Sequence, residues 1–151
     1  MAKLEWDEKL NVGIEAIDQQ HRQIVDYINQ LHDAYYGIQS PKKIGKAIDN
    51  LVDHALYHFN FEEHLQEVSG YPFLKAHQRA HDIFAKSLTD FQARFRHGEA
   101  ISKEVDSLLA TWFFDHLKHD DSDYVEHLRE YLERHPEALP GKKGFISRLF
   151  G

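Results

Sequence analysis

Apolar residues recur three and four residues apart along most of this chain, and that spacing is typical of the seam of a helix bundle. Four stretches show it, separated by short segments that contain Gly or Pro. Asp18 is a candidate N-cap for the first helix, and Ser40 followed by Pro41 for the second. His135 followed by Pro136 ends the fourth. The pattern therefore predicts an all-α fold, an up-down-up-down antiparallel four-helix bundle.

The length of 151 residues corresponds to about one domain. We assign residues 1–135 to the bundle, with residues 1–17 as an extended arm packed along it. Residues 136–151 form a basic amphipathic tail. The tail either folds back on its own bundle or, through residues 141–151, docks on a partner protein or an anionic membrane surface.

Composition narrows the function classes. The net charge of −7 without an offsetting basic stripe argues against a nucleic-acid partner. The absence of Cys excludes disulfides and thiolate metal sites, which leaves nitrogen and oxygen ligands for any metal. No apolar N-terminal segment and no run of about 18 apolar residues is present, so a cytoplasmic location is expected.

Histidine is the most unusual component, with 12 residues, and several occupy the apolar seams. His58 and Glu62 lie four residues apart, as do His77 and His81, so each pair shares one face of a helix. Imidazoles and carboxylates are costly to bury without partners. They are expected to form a metal centre, and two octahedral ions sharing carboxylates would use the full set: His21, His58, Glu62, His77, His81, His116 and Asp121.

The last carboxylate has an alternative in Asp120. On a straight helix, Asp120 lies at i+4 from His116, whereas Asp121 at i+5 requires a local kink or bulge. Helical periodicity favours Asp120 slightly.

Several motifs together resemble the bacterial branch of the hemerythrin family. They are Gln20-His21, His58-Phe59-x-x-Glu62-Glu63, Gly70-Tyr71-Pro72, His77-x-x-x-His81 and Trp112-x-x-x-His116-Leu117-x-x-x-Asp121-x-x-Tyr124. The resemblance covers roughly residues 6–132, and its spacing favours Asp121 over Asp120.

The resemblance implies an oxo- or hydroxo-bridged centre of two iron ions that binds dioxygen reversibly. His77, His81 and His116 would bind one iron and His21 and His58 the other, with Glu62 and Asp121 bridging them. The iron with two imidazoles would keep an open position for dioxygen. Family positions around the dioxygen pocket are occupied by Ile24, Phe59, Trp112, Phe113 and Leu117.

Gln66 departs from the family pattern, which usually has Met at this position. Gln66 lies one turn beyond Glu62, so a polar amide is expected near the site. The predicted function is a dioxygen carrier, store or local delivery protein and not an enzyme. The alternatives are an oxygen or redox sensor, or a di-iron peroxidase, nitric oxide reductase or ferroxidase at the same site.

Overall fold

The computed structural model describes residues 4–37, 40–99, 111–113, 115–116 and 122–138. These residues contain four α-helices that we number in chain order: α1 Glu15–Tyr36, α2 Pro41–Val68, α3 Leu74–Arg96 and α4 Ser122–Arg134. Two 3₁₀ turns, Glu8–Leu10 and Pro136–Ala138, flank them, and residues 111–113 and 115–116 are also helical. The described part of the chain is all-helical, as the apolar pattern predicts.

The first helix begins before the residue predicted to cap it. α1 starts at Glu15 with Ile14 as its N-cap, so the prediction that Asp18 caps it is wrong. Asp18 lies inside the first turn, where its carboxylate accepts hydrogen bonds from the backbone N–H groups of Val12 and Gly13 at 2.7 and 3.1 Å. The side chain therefore fixes the approach of the preceding segment to the helix instead of capping the helix itself.

The second helix begins as predicted. Ser40 is the N-cap of α2, its hydroxyl oxygen accepts a hydrogen bond from the Lys43 backbone N–H at 3.3 Å, and Pro41 is the first helical residue. At the other end Gly70 adopts a positive φ of 71°, a conformation that costs glycine little. The chain can thus turn sharply from α2 into α3.

The backbone geometry changes locally at His116, within the fourth predicted helix. Residues 111–113 and 115 are α-helical, His116 has π-helical geometry, and α4 spans Ser122–Arg134. A π turn is the kind of bulge that an i+5 carboxylate requires. Residues 141–151, the predicted docking part of the tail, lie outside the described residues.

α2 packs against both α1 and α3 and also contacts α4. Buried apolar residues form two clusters, a larger one that includes Ile48, Leu51 and Phe59 and a smaller one that includes Phe61, Leu65 and Tyr124. His58 and Glu62 lie where α2 passes from one cluster to the other. None of the described helices combines the length and apolarity that crossing a membrane requires.

The N-terminal segment lies against α1. The Leu4 backbone N–H donates to Asn29 Oδ1 at 2.8 Å, and Asn29 Nδ2 donates back to the Leu4 carbonyl at 2.9 Å. Farther along, the Arg129 guanidinium of α4 donates to the Val12 carbonyl. The segment therefore connects the start of the chain to two helices.

Candidate metal centre

Glu62 lies at the centre of a buried group of five imidazoles. Its side chain has no solvent exposure, and its two carboxylate oxygens face different histidines. Oε2 lies 3.5 Å from His21 Nε2 and 3.4 Å from His58 Nε2. Oε1 faces His77, His81 and His116, with Nε2 distances of 3.7, 3.2 and 3.8 Å respectively.

The site thus has two halves that share one carboxylate. One half contains His21, His58 and Glu62, and the other contains Glu62, His77, His81 and His116. Within each half the potential ligand atoms all lie within 4.8 Å of one another. The two halves receive side chains from α1, α2, α3 and the helical segment at His116, so the fold brings together residues from four separate segments.

Two of the imidazoles are oriented by hydrogen bonds on the ring nitrogen that faces away from Glu62. His58 Nδ1 donates to Gln20 Oε1 at 2.7 Å, and His81 Nδ1 donates to Glu63 Oε2 at 2.9 Å. A proton on Nδ1 leaves Nε2 with a lone pair directed into the site. Such outward hydrogen bonds are the usual way in which proteins orient metal-ligating histidines.

Inside the site, nitrogen atoms crowd together. His21 Nε2 lies 3.0 Å from His58 Nε2, and His81 Nε2 lies 3.1 Å from His116 Nε2. Lone pairs at these separations repel one another unless a proton or a cation lies between or beside them.

The Glu62 carboxyl is ionised in this environment. Burial alone would raise its pKa, but the electrostatic interaction with His58 and hydrogen bonds from His116, His21 and His58 hold that pKa well below its usual value. An anionic carboxylate with five imidazoles is a donor set that suits iron, zinc, copper or manganese, so these residues fit a pair of iron ions.

Tyr124 supplies a further contact with this carboxylate. Its hydroxyl, fully buried, donates to Glu62 Oε2 at 2.7 Å. Because Oε2 is also the oxygen nearest His21 and His58, the hydrogen bond helps to fix the orientation of the shared carboxylate. Neither this contact nor those of Gln20 and Glu63 is predicted by the spacing of residues within one helix, because each joins side chains from different helices.

An aromatic wall lines the site on the side of the larger cluster. The Phe59 ring stacks on His81 with centroids 4.0 Å apart, and Trp112 stacks on His116 at 4.7 Å. Phe113 meets the His21 ring edge-on at 6.0 Å. Ile24 is buried in the same cluster. The structure therefore places Phe59, Trp112 and Phe113 against the imidazoles, with Ile24 in the same apolar cluster.

Gln66 is fully buried, and neither its amide nitrogen nor its amide oxygen has a hydrogen-bond partner among the residues that the structure describes. It follows Leu65, a member of the smaller cluster, whereas Phe59 belongs to the larger one. Gln66 thus lies on α2 one turn past Glu62 toward the C-terminal end of the helix, on the same helix face as Glu62 and Phe59. Asp121, its alternative Asp120, and Leu117 lie outside the described residues, so their predicted roles stay predictions.

Comparison with known proteins gives the same family as the motifs. The family model described as "Hemerythrin HHE cation binding domain" matches residues 12–128. A bacteriohemerythrin of Pseudomonas aeruginosa is 43% identical over 150 residues, which cover 98% of this chain and 95% of that protein. A bacteriohemerythrin of Stenotrophomonas maltophilia is 42% identical over 134 residues, covering 89% of this chain and 87% of the relative.

Similar solved structures and a more distant animal relative agree. A crystal structure of a wild-type hemerythrin has a TM-score of 0.79 and 29% identity, and covers 84% of this chain and 98% of its own. A myohemerythrin of Theromyzon tessulatum is 26% identical over 120 residues, covering 80% of this chain and 89% of that protein. The match of the family model over most of the chain, together with these relatives, shows that the chain belongs to the hemerythrin family, in its bacterial branch.

Proposed function

We propose that this protein binds dioxygen reversibly at a centre of two iron ions. The observation that carries the proposal is the division of imidazoles around Glu62, two facing one carboxylate oxygen and three facing the other. Two ions held in this way differ in the number of protein ligands. The ion with fewer ligands keeps a position for an external molecule.

The iron pair would supply the electrons that dioxygen needs for binding, and the protein would hold the pair in place. His77, His81 and His116 would hold one ion, and His21 and His58 the other. Glu62 would bridge the two, and Asp121 is proposed as the second bridge. Gln20, Glu63 and Tyr124 keep these side chains in one orientation through the hydrogen bonds already described.

The apolar wall contributes by keeping water away. Ile24, Phe59 and Phe113 are 2%, 3% and 1% exposed, so bulk water has little access from their side. A low-polarity wall disfavours the separation of charge and the protonation that would release reduced oxygen species. Leu117 is proposed to complete this wall with Trp112.

The complete architecture is also part of this proposal. We infer an up-down-up-down antiparallel bundle over residues 1–135, with the N-terminal arm packed along it and residues 136–151 forming a separate tail. The contacts of α2 with α1, α3 and α4 support this order, as do the hydrogen bonds from the N-terminal segment to Asn29 and Arg129.

A cycle of oxygenation and deoxygenation tests the proposed function. The chain is loaded with ferrous iron without oxygen, exposed to oxygen, and then purged with argon while visible absorption is recorded. We expect an absorption band that appears with oxygen and disappears on purging, over several cycles. A band that never reverses would contradict reversible binding, and absence of any oxygen-dependent band would contradict dioxygen binding altogether.

Gln66 favours a second function, an oxygen or redox sensor or a di-iron enzyme. Its buried amide has no hydrogen-bond partner among the described residues, so a water molecule there would gain hydrogen bonds. Water near the metal centre promotes irreversible oxidation. Rapid and irreversible conversion of the ferrous protein in the first cycle would support this alternative.

A further inference from the structure

Two hydrogen bonds that orient imidazoles, one in each half of the site, differ in the charge of the acceptor. In the half with two imidazoles, His58 donates to Gln20, whose amide oxygen is neutral. In the half with three, His81 donates to the carboxylate of Glu63. The two distances, 2.7 and 2.9 Å, are similar, so charge is the main difference between the two contacts.

An anionic acceptor affects an imidazole more strongly than a neutral one. Hydrogen bonds to charged acceptors are about twice as strong as neutral ones. A carboxylate on Nδ1 also raises the basicity of the opposite nitrogen, which strengthens its bond to a metal. His81 Nε2 is therefore a stronger metal ligand than His58 Nε2. This difference adds to the one that arises because the two halves contain unequal numbers of imidazoles.

We propose that Glu63 and Gln20 act as positioning residues that bias the two halves, so that the half of His77, His81 and His116 binds its metal ion more tightly and fills first. The inference rests on the two-metal site of the proposed function and adds an order of loading to it. The half of His21 and His58 then receives its ion second and holds it less strongly. Because the hydrogen-bond acceptor of His58, Gln20, is neutral, the second ion exchanges an external ligand more readily.

The test uses Co²⁺ as the probe, added without oxygen to the metal-free full-length chain. Native mass spectrometry counts bound ions, and visible absorption follows each step. The unmodified chain is expected to bind two ions in two resolved steps, the first at least about 10-fold tighter. The His58→Ala variant should lose the second step and keep the first, which assigns the order.

Two isosteric substitutions then separate charge from shape. Glu63→Gln keeps a hydrogen-bond acceptor but removes the charge, and should weaken the first step about 10-fold, the lower end of the usual range, because Glu63 is 19% exposed. Gln20→Glu adds a charge beside His58 and should strengthen the second step, bringing the two affinities closer. A purely structural role would alter both steps together in each variant.

The outcomes are distinct. Two bound ions with no change of either step in both variants would overturn the inference and leave the proposed two-metal centre standing. Binding of no ion, or of only one, by the unmodified chain would overturn both. If Glu63→Gln lowers helix content, Gln20→Glu tests the same claim from the opposite half.

Discussion

At the scale of single residues, Glu62 is the side chain on which the two halves of the site depend. It is the only described residue that contributes to both metal-ligand groups. Its buried charge is stabilised by the imidazoles around it and would be balanced by cations in the loaded chain. A neutral amide in its place keeps the shape but removes the charge that holds two cations together.

Glu62→Gln should therefore prevent loading of a pair of ions. We expect the iron content to fall from two ions per chain to one or fewer, because the amide is a poor bridging ligand. Elemental analysis after anaerobic loading measures this. Glu67→Gln, at an exposed position one turn farther along α2, is the matched control and should load normally. Full loading of Glu62→Gln would show that another group bridges the ions.

Gln66 offers a second test at this scale. Gln66→Met removes a buried amide that has no hydrogen-bond partner within the described part of the chain, so the free energy of unfolding of the metal-free chain should rise by about 1 to 3 kcal/mol. The oxygenated protein should also autoxidise several-fold more slowly. Urea unfolding and the decay of visible absorption measure the two effects, with the exposed Gln23→Met as control. An unchanged autoxidation rate would refute a role for Gln66 in oxidation.

At the scale of the helices, local sequence was a good guide to α2 and a poor one to the start of α1. Ser40 caps α2 and Pro41 begins it, as predicted. The Asp18 carboxylate could accept hydrogen bonds either from the first turn of a helix or from the segment before it. It accepts them from two backbone N–H groups of the preceding segment. Spacing within one helix cannot reveal such a contact, because it depends on where the preceding segment lies.

The N-cap of α2 gives a quantitative prediction. Ser40→Ala removes the hydroxyl that accepts the Lys43 N–H, and should lower the free energy of unfolding by about 1 kcal/mol. Urea denaturation of the metal-free chain measures the change. Ser87→Ala is the control, because its hydroxyl bonds a carbonyl within α3 and caps no helix end. An equally large fall in the free energy of unfolding of Ser87→Ala would contradict a specific contribution of the cap.

The same reasoning explains how much of the site could be predicted. His58 with Glu62 and His77 with His81 are separated by one helical turn, so sequence spacing predicts that each pair shares a face. Gln20, Glu63 and Tyr124 reach histidines or a carboxylate on other helices, and no periodicity marks their roles. For Tyr124 the sequence offered only a weak indication. A tyrosine in an apolar seam is expected to be buried, and its hydroxyl then requires a hydrogen-bond partner.

At the scale of the whole molecule, burial of titratable groups links stability to pH. Burial lowers the pKa of His54 from its ordinary value of 6.5, opposed by a hydrogen bond with the Gln20 backbone. Below that value the unfolded chain takes up a proton on His54 that the folded chain resists. Stability contributed by the neutral ring is thus present at higher pH and is lost as the pH falls below about 6.5.

His54→Gln should make the metal-free chain less sensitive to acid. We expect the loss of unfolding free energy between pH 7 and pH 5 to be smaller in the variant than in the unmodified chain. Urea unfolding at a series of pH values measures it, and the exposed His97→Gln serves as control. Identical pH profiles for the unmodified and His54→Gln chains would contradict a folded-state shift at this residue.

We propose that two iron ions, held unequally around Glu62, bind one dioxygen molecule and release it. The most direct measurement is the amount of oxygen taken up by the anaerobically loaded ferrous protein and the amount returned under vacuum. We predict one dioxygen per two irons, with nearly all of it recovered. Uptake without recovery, or a ratio far from one per two irons, would contradict the account.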